Sequence, residues 1–314
     1  MKQPLIILTG PTAVGKTALS IKLAKAVNGE IISADSMQVY KGMDIGSAKI
    51  RPDEMQGVPH YLVDCLDPKD EFNVVVFHQM AKEAMAQIYA RNHIPILVGG
   101  TGFYIQAITS DIDFTENSEI DSFRTELEQI SKTEGPLVLH DRLREVDPES
   151  AETIHPNNVK RVIRALEYYH QTGLPISRHN MEQRQKTSPY NLAYFVLNDD
   201  RANLYRRIDL RIDQMLQEGL IDEVKNLKEQ GCHKNMVSMQ GLGYKEILSF
   251  LDGSYSYDEA VYVLKRDTRH FAKRQITWFK REKEVEWFDK QEYSYDEDLV
   301  LQAMLHSLKI KGII

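Results

Sequence analysis

Apolar residues along the chain follow two spacings that alternate. Short, mainly apolar runs lie at residues 5–8, 30–34, 94–98 and 191–197, and between them apolar residues recur every three or four positions. Continuous runs are typical of strands buried on both faces, whereas the wider spacing is typical of helices packed on a core. The alternation predicts an α/β fold with a parallel sheet flanked by helices.

Weaker apolar patterns add further elements to this core. Residues 61–63 and 285–288 predict strands, the second at a sheet edge, and residues 74–91, 259–280 and 299–308 predict helices. The predicted core therefore draws on both halves of the chain.

The pattern changes between about residue 111 and residue 186. Helical spacing continues there without a continuous apolar run, and prolines interrupt it repeatedly. Because proline ends or begins a helix, this stretch predicts several short helices. We expect a mostly helical insertion domain at residues 113–187, within a core domain formed by residues 1–112 and 188–314. The interrupting prolines are Pro136, Pro148, Pro156 and Pro175.

The first apolar run leads directly into a glycine-rich loop, residues 10–17, which reads G-x-x-x-x-G-K-T. In a strand, loop and helix unit, such a loop turns backbone N–H groups toward phosphate oxygens. Lys16 adds a positive charge, and the Thr17 hydroxyl can bind Mg²⁺. The pattern predicts a P-loop-type phosphate site and leaves open whether the phosphates belong to a nucleotide. The predicted site comprises Gly10, Pro11, Thr12, Ala13, Val14, Gly15, Lys16 and Thr17.

Polar residues follow two other predicted strands. Asp35 comes after residues 30–34, and Gly99-Gly100-Thr101 ends the run at 94–98. Because ligands collect at the carboxyl ends of parallel strands, we expect these residues to share one crevice with the glycine-rich loop. Asp35 is a candidate general base there. The alternative is a carboxylate that only caps a helix or a turn.

The pattern of a nucleotide-hydrolysing protein is incomplete. Such proteins usually place a second carboxylate after an apolar strand to hold Mg²⁺. Asp35 and Asp64 compete for that role, and no carboxylate follows the run at 94–98. A small-molecule kinase would also need an arginine-rich lid, so a kinase or ATPase remains an alternative. The insertion could supply the lid through Arg142, Arg144, Arg161 and Arg164.

The composition is that of a globular protein of 314 residues, with 42% hydrophobic residues and a net charge of −7. No apolar run approaches the roughly 20 residues of a membrane span, so we expect a cytoplasmic protein that does not enter a membrane. Cys65 and Cys232 are far apart and favour neither a disulfide nor a metal cluster. The negative charge argues against indiscriminate nucleic-acid binding, and any such partner requires local basic patches.

Two basic stretches stand out against this charge, around Lys160 to Arg164 and in residues 265–281. They favour a polyanionic partner, although solvated helix faces would look the same. An RNA-binding module without catalysis is therefore another alternative. Arg207 and Arg211 share one helical face opposite an apolar stripe, and we expect Arg211 to clamp phosphate oxygens.

Several longer motifs carry a resemblance to one family. Together with the glycine-rich loop, they resemble bacterial tRNA dimethylallyltransferases, also called tRNA isopentenyltransferases, over nearly the whole chain. The stretch S-A-D-S-M-Q-V-Y-K-G-M-D-I-G-S-A-K at residues 33–49 is the most specific, since generic NTPases lack it. We therefore expect a protein of the bacterial type, without the zinc-finger tail of eukaryotic relatives. The other motifs lie at residues 98–102, 155–157, 164–167 and 272–279.

The resemblance implies transfer of a dimethylallyl group from its diphosphate to N6 of adenosine 37, next to the anticodon. The implied acceptors are tRNAs that read codons beginning with U, and diphosphate is released. It further implies Mg²⁺ as cofactor, the anticodon stem-loop as the recognised part of tRNA, and a monomeric enzyme. An adenylate-type isopentenyltransferase remains an alternative within the same chemistry.

The resemblance also assigns residue roles. Asp35 is implied to be the base or the hydrogen-bond partner at N6. Residues 12–17 are implied to bind the diphosphate with Thr17 on Mg²⁺, and Arg211 to clamp the same phosphates. Thr101 and Lys16 complete the implied catalytic set. The implied tRNA contacts are Asp35, Ser36, Met37, Gln38, Thr101, Arg124, Lys160, Arg161, Val162, Ile163, Arg164, Gln240, Gly241, Leu242, Gly243, Tyr244 and Lys245.

Overall fold

The computed structural model of the protein describes residues 2–112, 120–185 and 187–314. In this part of the chain one six-stranded sheet, with every pair of neighbouring strands parallel, has the order β3-β2-β4-β1-β5-β6. The predicted α/β class and parallel sheet are confirmed. The strands are β1 (Pro4–Thr9), β2 (Gly29–Ser33), β3 (His60–Tyr61), β4 (Ile94–Gly99), β5 (Asn191–Asn198) and β6 (Val285–Asp289).

Strand β1 lies at the centre of the sheet, between β4 and β5. Its apolar run at residues 5–8 is fully buried, as expected for a strand covered on both faces. The register pairs Thr9 with Gly99, and the Thr9 hydroxyl donates a 2.7 Å hydrogen bond to the Gly99 carbonyl. The chain segments that follow β1 and β4 therefore leave the sheet side by side.

The helices in chain order are α1 (Lys16–Val27), α2 (Val74–Ala90), α3 (Gly102–Thr109), α4 (Ile120–Thr133), α5 (Pro136–Val146), α6 (Pro148–Thr153), α7 (Val159–Thr172), α8 (Ile176–Gln185), α9 (Arg201–Glu218), α10 (Leu220–Glu229), α11 (Tyr244–Leu251), α12 (Tyr257–Phe279) and α13 (Glu297–Ile310). Short 3-10 helices lie at Ser238–Gln240 and Lys290–Tyr293. Across the described ranges, no helix has the length and apolar character that crossing a bilayer requires.

Helix α9 shows how local sequence sets an element that matters for the site. The Asp200 side chain caps its first turn by accepting from the N–H groups of Ala202 and Asn203, which helix geometry leaves without partners. The predicted apolar stripe is buried through Leu204 and Ile208. The start of the helix is thereby fixed, and its apolar stripe belongs to the main hydrophobic core.

The chain divides into two compact units, Met1–Asp111 with Ser188–Ile314, and Ile112–Thr187. The second unit contains α4 to α8, and Pro136 and Pro148 each occupy the first position of a helix, where proline lacks no needed hydrogen bond. The predicted first residue of the insertion, 113, lies outside the described residues. The unit has its own apolar core of Leu127, Leu139, Leu143, Ala151, Val162, Ile163, Ala165 and Leu166.

A buried carboxylate ties β2, β3 and the start of β4 together. Glu30 is 2% exposed. It accepts hydrogen bonds from Arg91 at 3.0 and 2.8 Å and from the Tyr61 hydroxyl at 2.7 Å, and His93 Nδ1 lies 2.5 Å from it. Burial alone would raise the pKa of Glu30, but these partners outweigh it and lower the pKa to about 2.

We expect Glu30→Gln to lower the free energy of unfolding at pH 7 by roughly 3 kcal/mol, the size typical of a broken buried ion pair. Because the folded-state pKa is depressed, the stabilising effect is present above the unfolded value of 4.5 and declines toward pH 2. Urea unfolding at pH 7, 4.5 and 3 should therefore show the difference from wild type shrinking with acid. Glu229→Gln, at an exposed position, is the control, and a constant difference across this range would contradict the assignment.

Candidate active site

The glycine-rich loop joins β1 to α1, and its glycines are required by geometry. Gly10 and Gly15 have positive φ angles of 145° and 104°, which L side chains rarely adopt. A Cβ on Gly10 would lie 2.2 Å from the carbonyl oxygen of Leu197 in β5. The loop therefore passes directly over the neighbouring strand, as the sequence motif requires.

Positively charged side chains hold the carbonyl groups of this loop. Lys16 Nζ donates to the carbonyls of Gly10 and Pro11 at 3.0 and 2.9 Å. The first N–H groups of α1 have no partner within the helix and carry the positive end of its dipole. With its carbonyls turned toward Lys16, the loop leaves the start of α1 as its anion-binding side.

Two further cations reach the loop from distant parts of the chain. Arg207 Nε, on α9, donates to the Ala13 carbonyl at 2.8 Å, and Lys290 Nζ donates to the Val14 carbonyl at 3.4 Å. Arg207 is half-buried and Lys290 is buried. Lys290 was not singled out in the sequence, because nothing in its local pattern marks it. Both residues therefore hold the loop through its carbonyl groups.

Gln275 of α12 connects the loop to the end of β4. Its side-chain oxygen accepts from Thr12 N at 2.8 Å, and its amide nitrogen donates to the Gly100 carbonyl at 2.9 Å. A Cβ on Gly100 would lie 2.1 Å from that nitrogen, so glycine is needed for the contact. The Thr12 N–H, predicted to face the diphosphate, is thus engaged by Gln275. The signal for this role was a polar residue on an otherwise apolar helix face.

The cations around the loop affect one another strongly. Burial lowers the pKa of Lys16 to about 8, with repulsion from Arg211 adding to it and attraction from Asp35 opposing it. Burial likewise lowers the pKa of Arg211, helped by Arg207, and the pKa of Lys290, also helped by Arg207. Like charges held together in this way favour binding of a ligand with several negative charges.

Arg207 and Arg211 differ in position, although both are half-buried. Arg207 bonds to the loop backbone, whereas Arg211 interacts with both Lys16 and Asp35. The expectation that they lie opposite the apolar stripe is wrong, because each follows a stripe residue, Leu204 or Ile208, by three positions and so lies beside the stripe. This side of α9 faces the loop through Arg207. This arrangement brings Arg211, Lys16 and Asp35 within electrostatic reach of one another.

Asp35 follows β2 in a turn that fixes the direction of its carboxylate. Oδ1 accepts from the N–H groups of Met37 and Gln38 at 2.8 and 3.3 Å. The turn-carboxylate alternative therefore describes a real contact, and it does not exclude chemistry because the side chain is only half-buried. Thr101 N donates to the Ala34 carbonyl at 3.2 Å. The residues after β2 and β4 thus lie next to each other.

Asp64, the competing carboxylate, lies elsewhere. Strand β3 ends at Tyr61, two residues before the end predicted at residue 63, because Leu62 and Asp64 have positive φ angles of 60° and 54°. Asp64 is exposed and accepts from Lys49 Nζ at 2.7 Å. Its geometry is that of a surface ion pair.

The residues predicted to contact RNA differ in accessibility. On α7, Lys160, Arg161 and Arg164 are exposed, whereas Val162 and Ile163 belong to the core of the insertion. The first three alone offer side chains to a ligand in this stretch. The buried pair follows from the amphipathic spacing of α7, whose apolar face must pack.

Arg124, on α4, is held by two carboxylates of the same unit. Its Nε donates to Glu128 at 3.3 Å, and Nη1 lies 3.5 Å from the buried Glu167 carboxylate. Burial raises the pKa of Glu167, while Arg124 and Arg164 lower it. The guanidinium is therefore held between a carboxylate of its own helix and the buried Glu167 of α7.

In the segment at residues 240–245, Gln240 is exposed, and Leu242 and Lys245 are half-buried. Gly241, Gly243 and Tyr244 are buried, and the Tyr244 hydroxyl donates to Glu223 at 2.7 Å. The tyrosine side chain is thus part of the protein interior, so a direct RNA contact by its ring does not fit this geometry.

The basic stretch on α12 divides into two parts. Lys265 and Arg269 form ion pairs of 2.6 Å with Asp213 and Asp209 of α9. Further along α12, an open cleft of about 440 Å³ is lined mainly by basic side chains, together with a hydroxyl and an indole ring. Positive charge available to a ligand is therefore concentrated at the C-terminal end of α12. The cleft is lined by His270, Lys273, Arg274, Thr277, Trp278 and Arg281.

The sheet, the loop and the lysine and arginine side chains around it define a P-loop-type α/β protein with a carboxylate beside its candidate phosphate site. A sequence model of the IPP transferase family matches residues 38–282. The chain belongs to this family, in agreement with the resemblance drawn from its motifs.

Curated relatives span essentially the same length. The tRNA dimethylallyltransferase of Lachnoclostridium phytofermentans is 62% identical over 312 residues, covering 99% of each chain. That of Carboxydothermus hydrogenoformans is 51% identical over 289 residues, covering 92% of this chain and 93% of its own.

Solved structures share the fold. The tRNA isopentenylpyrophosphate transferase of Bacillus halodurans is 42% identical, with a TM-score of 0.72 and coverage of 99% of this chain and 100% of its own. A eukaryotic dimethylallyltransferase described as acting on tRNA is 32% identical, with a TM-score of 0.78 and coverage of 91% and 74%.

The depressed pKa of Lys16 predicts a pH-dependent affinity for inorganic diphosphate. A bound anion favours the ammonium form of Lys16, so binding above pH 8 requires that Lys16 take up a proton. The Kd should therefore rise by up to about tenfold per pH unit. Below pH 8 Lys16 is already charged and contributes no pH dependence. Titration calorimetry from pH 7 to 9.5 measures this change.

Lys16→Met is the matched control, since the diphosphate's own protonation is the same for both proteins. The ratio of the Kd of Lys16→Met to the Kd of the wild type should be constant below pH 8 and decline above it, because only the wild type loses a charge there. A ratio that stays constant to pH 9.5 would contradict the assignment.

Proposed function

We propose that the protein transfers the dimethylallyl group of dimethylallyl diphosphate to N6 of adenosine 37 in tRNAs that read codons beginning with U, releasing diphosphate. The observation that carries the proposal is the group of cations around the glycine-rich loop with Asp35 beside it. A polyanionic leaving group fits the cations, and a nucleophile that loses a proton fits the carboxylate. Relatives with this name across the full length support the choice.

In the donor half of the site, the start of α1, Lys16 and Arg211 bind the diphosphate. The bond between the allylic carbon and the diphosphate oxygen breaks, and its electron pair stays on the diphosphate. Preorganised positive groups stabilise this growing charge more than they stabilise the intact donor. Arg207 and Lys290 contribute by keeping the loop in shape, since both bond to its carbonyls.

Mg²⁺ fits this half of the site. Thr17 is exposed in the first turn of α1, and the described residues contain no group of three or more His, Cys, Asp or Glu residues suited to a metal. Mg²⁺ commonly takes one or two protein ligands together with phosphate oxygens and water. The Thr17 hydroxyl would hold the ion, which neutralises charge on the diphosphate when bound.

In the acceptor half, Asp35 orients the adenine amino group and takes its proton as the bond from N6 to the allylic carbon forms. The amide bonds to Oδ1 fix the carboxylate for this role. Thr101 lies on the adjacent strand end and would contact the same nucleotide. The adenine must leave its base stack to reach the donor, as in other enzymes that modify a base.

The RNA backbone is proposed to bind at local basic patches, because the chain as a whole carries a charge of −7. The proposed ligand is the anticodon stem-loop. The helical insertion offers Lys160, Arg161 and Arg164 of α7 and Arg124 of α4, and the core unit offers, by itself, the cleft of α12. Binding through phosphates is weakened by salt.

We further propose that the protein acts as a monomer in the cytoplasm, where its substrate is found.

Incubation with tRNA and dimethylallyl diphosphate should add the mass of one dimethylallyl group to the RNA fragment that contains the anticodon loop. Asp35→Asn should lower kcat by roughly 10² to 10⁴, the range typical of a lost general base. The tRNA affinity should change little, because asparagine keeps the Oδ1 acceptor of the turn. Mass spectrometry and filter binding measure the two quantities.

Asp53→Asn, at an exposed position, is the control and should keep full activity. Full activity of Asp35→Asn would overturn the base assignment. ATP turnover that ignores the allylic donor would favour a kinase or ATPase, and transfer to free adenylate would favour the adenylate-type enzyme. RNA binding without product, unchanged by Lys16→Ala, would favour a non-catalytic module.

A further inference from the structure

Three consecutive backbone N–H groups converge on one side chain far away in the sequence. The Glu223 carboxylate of α10 accepts from Asp44 N at 2.9 Å, Ile45 N at 2.7 Å and Gly46 N at 3.1 Å. Successive N–H groups of this kind form a nest for an anion. Here the protein supplies the anion itself, and residues 44–46 are thereby fixed to α10.

Tyr244 of α11 closes this contact from the other side. Its hydroxyl donates to Glu223 Oε1 at 2.7 Å and accepts from Ser47 N at 3.1 Å. Burial raises the pKa of Tyr244 well above its ordinary value, so the hydroxyl remains a donor. A Cβ on Gly46 would lie 2.6 Å from the tyrosine ring, so glycine permits the close approach. We call Glu223 and Tyr244 the loop clamp.

The clamped segment leads back to the Asp35 turn. Gln38 Nε2 donates to the Ala48 carbonyl at 3.3 Å, and Gln38 Oε1 accepts from the Ser33 hydroxyl at 3.2 Å. Gln38 N also donates to Asp35 Oδ1. The side chain of Gln38 is therefore held at both ends, and one end depends on the segment that the loop clamp fixes.

The donor half has separate supports. Lys16, Arg207, Gln275 and Lys290 hold the glycine-rich loop, and none of them bonds to Glu223 or Tyr244 among the contacts of the described residues. Loss of the clamp should consequently disturb the Asp35 turn and leave the phosphate loop in place.

We propose that Glu223, with Tyr244, is a positioning residue for the acceptor nucleotide. It acts through residues 44–48 and Gln38 to set the Asp35 turn against the adenine. This role rests on the proposed function, since it needs a nucleotide acceptor at Asp35.

Glu223→Gln replaces one carboxylate oxygen by an NH₂ group. This group is a donor, so it cannot accept hydrogen bonds from the backbone N–H groups of residues 44–46. We expect kcat/KM for tRNA to fall roughly 10- to 100-fold, as for loss of a charged hydrogen-bond acceptor, and Kd for inorganic diphosphate to stay within about twofold. Amide hydrogen exchange at residues 44–46 should speed up. Tyr244→Phe keeps the three backbone bonds to Glu223 and should give a smaller change in the same direction.

The control is Asp222→Asn, an exposed carboxylate on the same helix, which should keep wild-type values for tRNA and diphosphate. If Glu223→Gln does not fold, Tyr244→Phe decides on the same quantities. An equal loss of diphosphate affinity would overturn the proposal, because it would mean a general disturbance. Unchanged kcat/KM for tRNA with faster exchange at residues 44–46 would overturn it as well. A wild-type protein without transferase activity would instead overturn the proposed function, and this role with it.

Discussion

Repulsion among cations around a single loop is the constraint on which the site depends. Lys16, Arg207 and Lys290 give the loop its shape by bonding to its carbonyls. Burial lowers the pKa of Lys16 and of Lys290, and repulsion from Arg211 and from Arg207, respectively, adds to it. A bound anion would offset this repulsion while the loop keeps its contacts. The fold thus holds the loop in the shape proposed for binding a diphosphate. The ligand would reduce the electrostatic repulsion among the cationic side chains that this shape brings together.

The two halves of the site are supported by different helices and meet at the carboxyl ends of the neighbouring strands β2, β4 and β1. The phosphate loop is held from α1, α9 and α12, whereas the Asp35 turn is held from α10 and α11 through residues 44–48. Backbone segments approach closely where they meet, since a Cβ on Gly99 would lie 2.3 Å from the Ala34 carbonyl. This crowding keeps the residue before Asp35 against the end of β4, while each half of the site has its own supports.

Local sequence was sufficient for the strands and for the phosphate loop, because apolar runs and glycine spacing are properties of neighbouring residues. It was less accurate at β3, where positive φ angles at Leu62 and Asp64 turn the chain away and shorten the strand. Contacts between distant segments left little local trace. Gln275 stood out only as a polar residue on an apolar face. The roles of three residues depend on contacts with segments far away in the sequence, so their neighbours along the chain do not indicate them. These residues are Arg207, Glu223 and Lys290.

The bond between Lys290 and Val14 joins residues 276 positions apart. The phosphate loop is synthesised well before the residues that support it from α9, α12 and the segment after β6. During synthesis the loop therefore gains its supports one at a time, first from Lys16, then from Arg207, Gln275 and Lys290. A chain interrupted before residue 285 would keep the first three supports and lack the bond from Lys290.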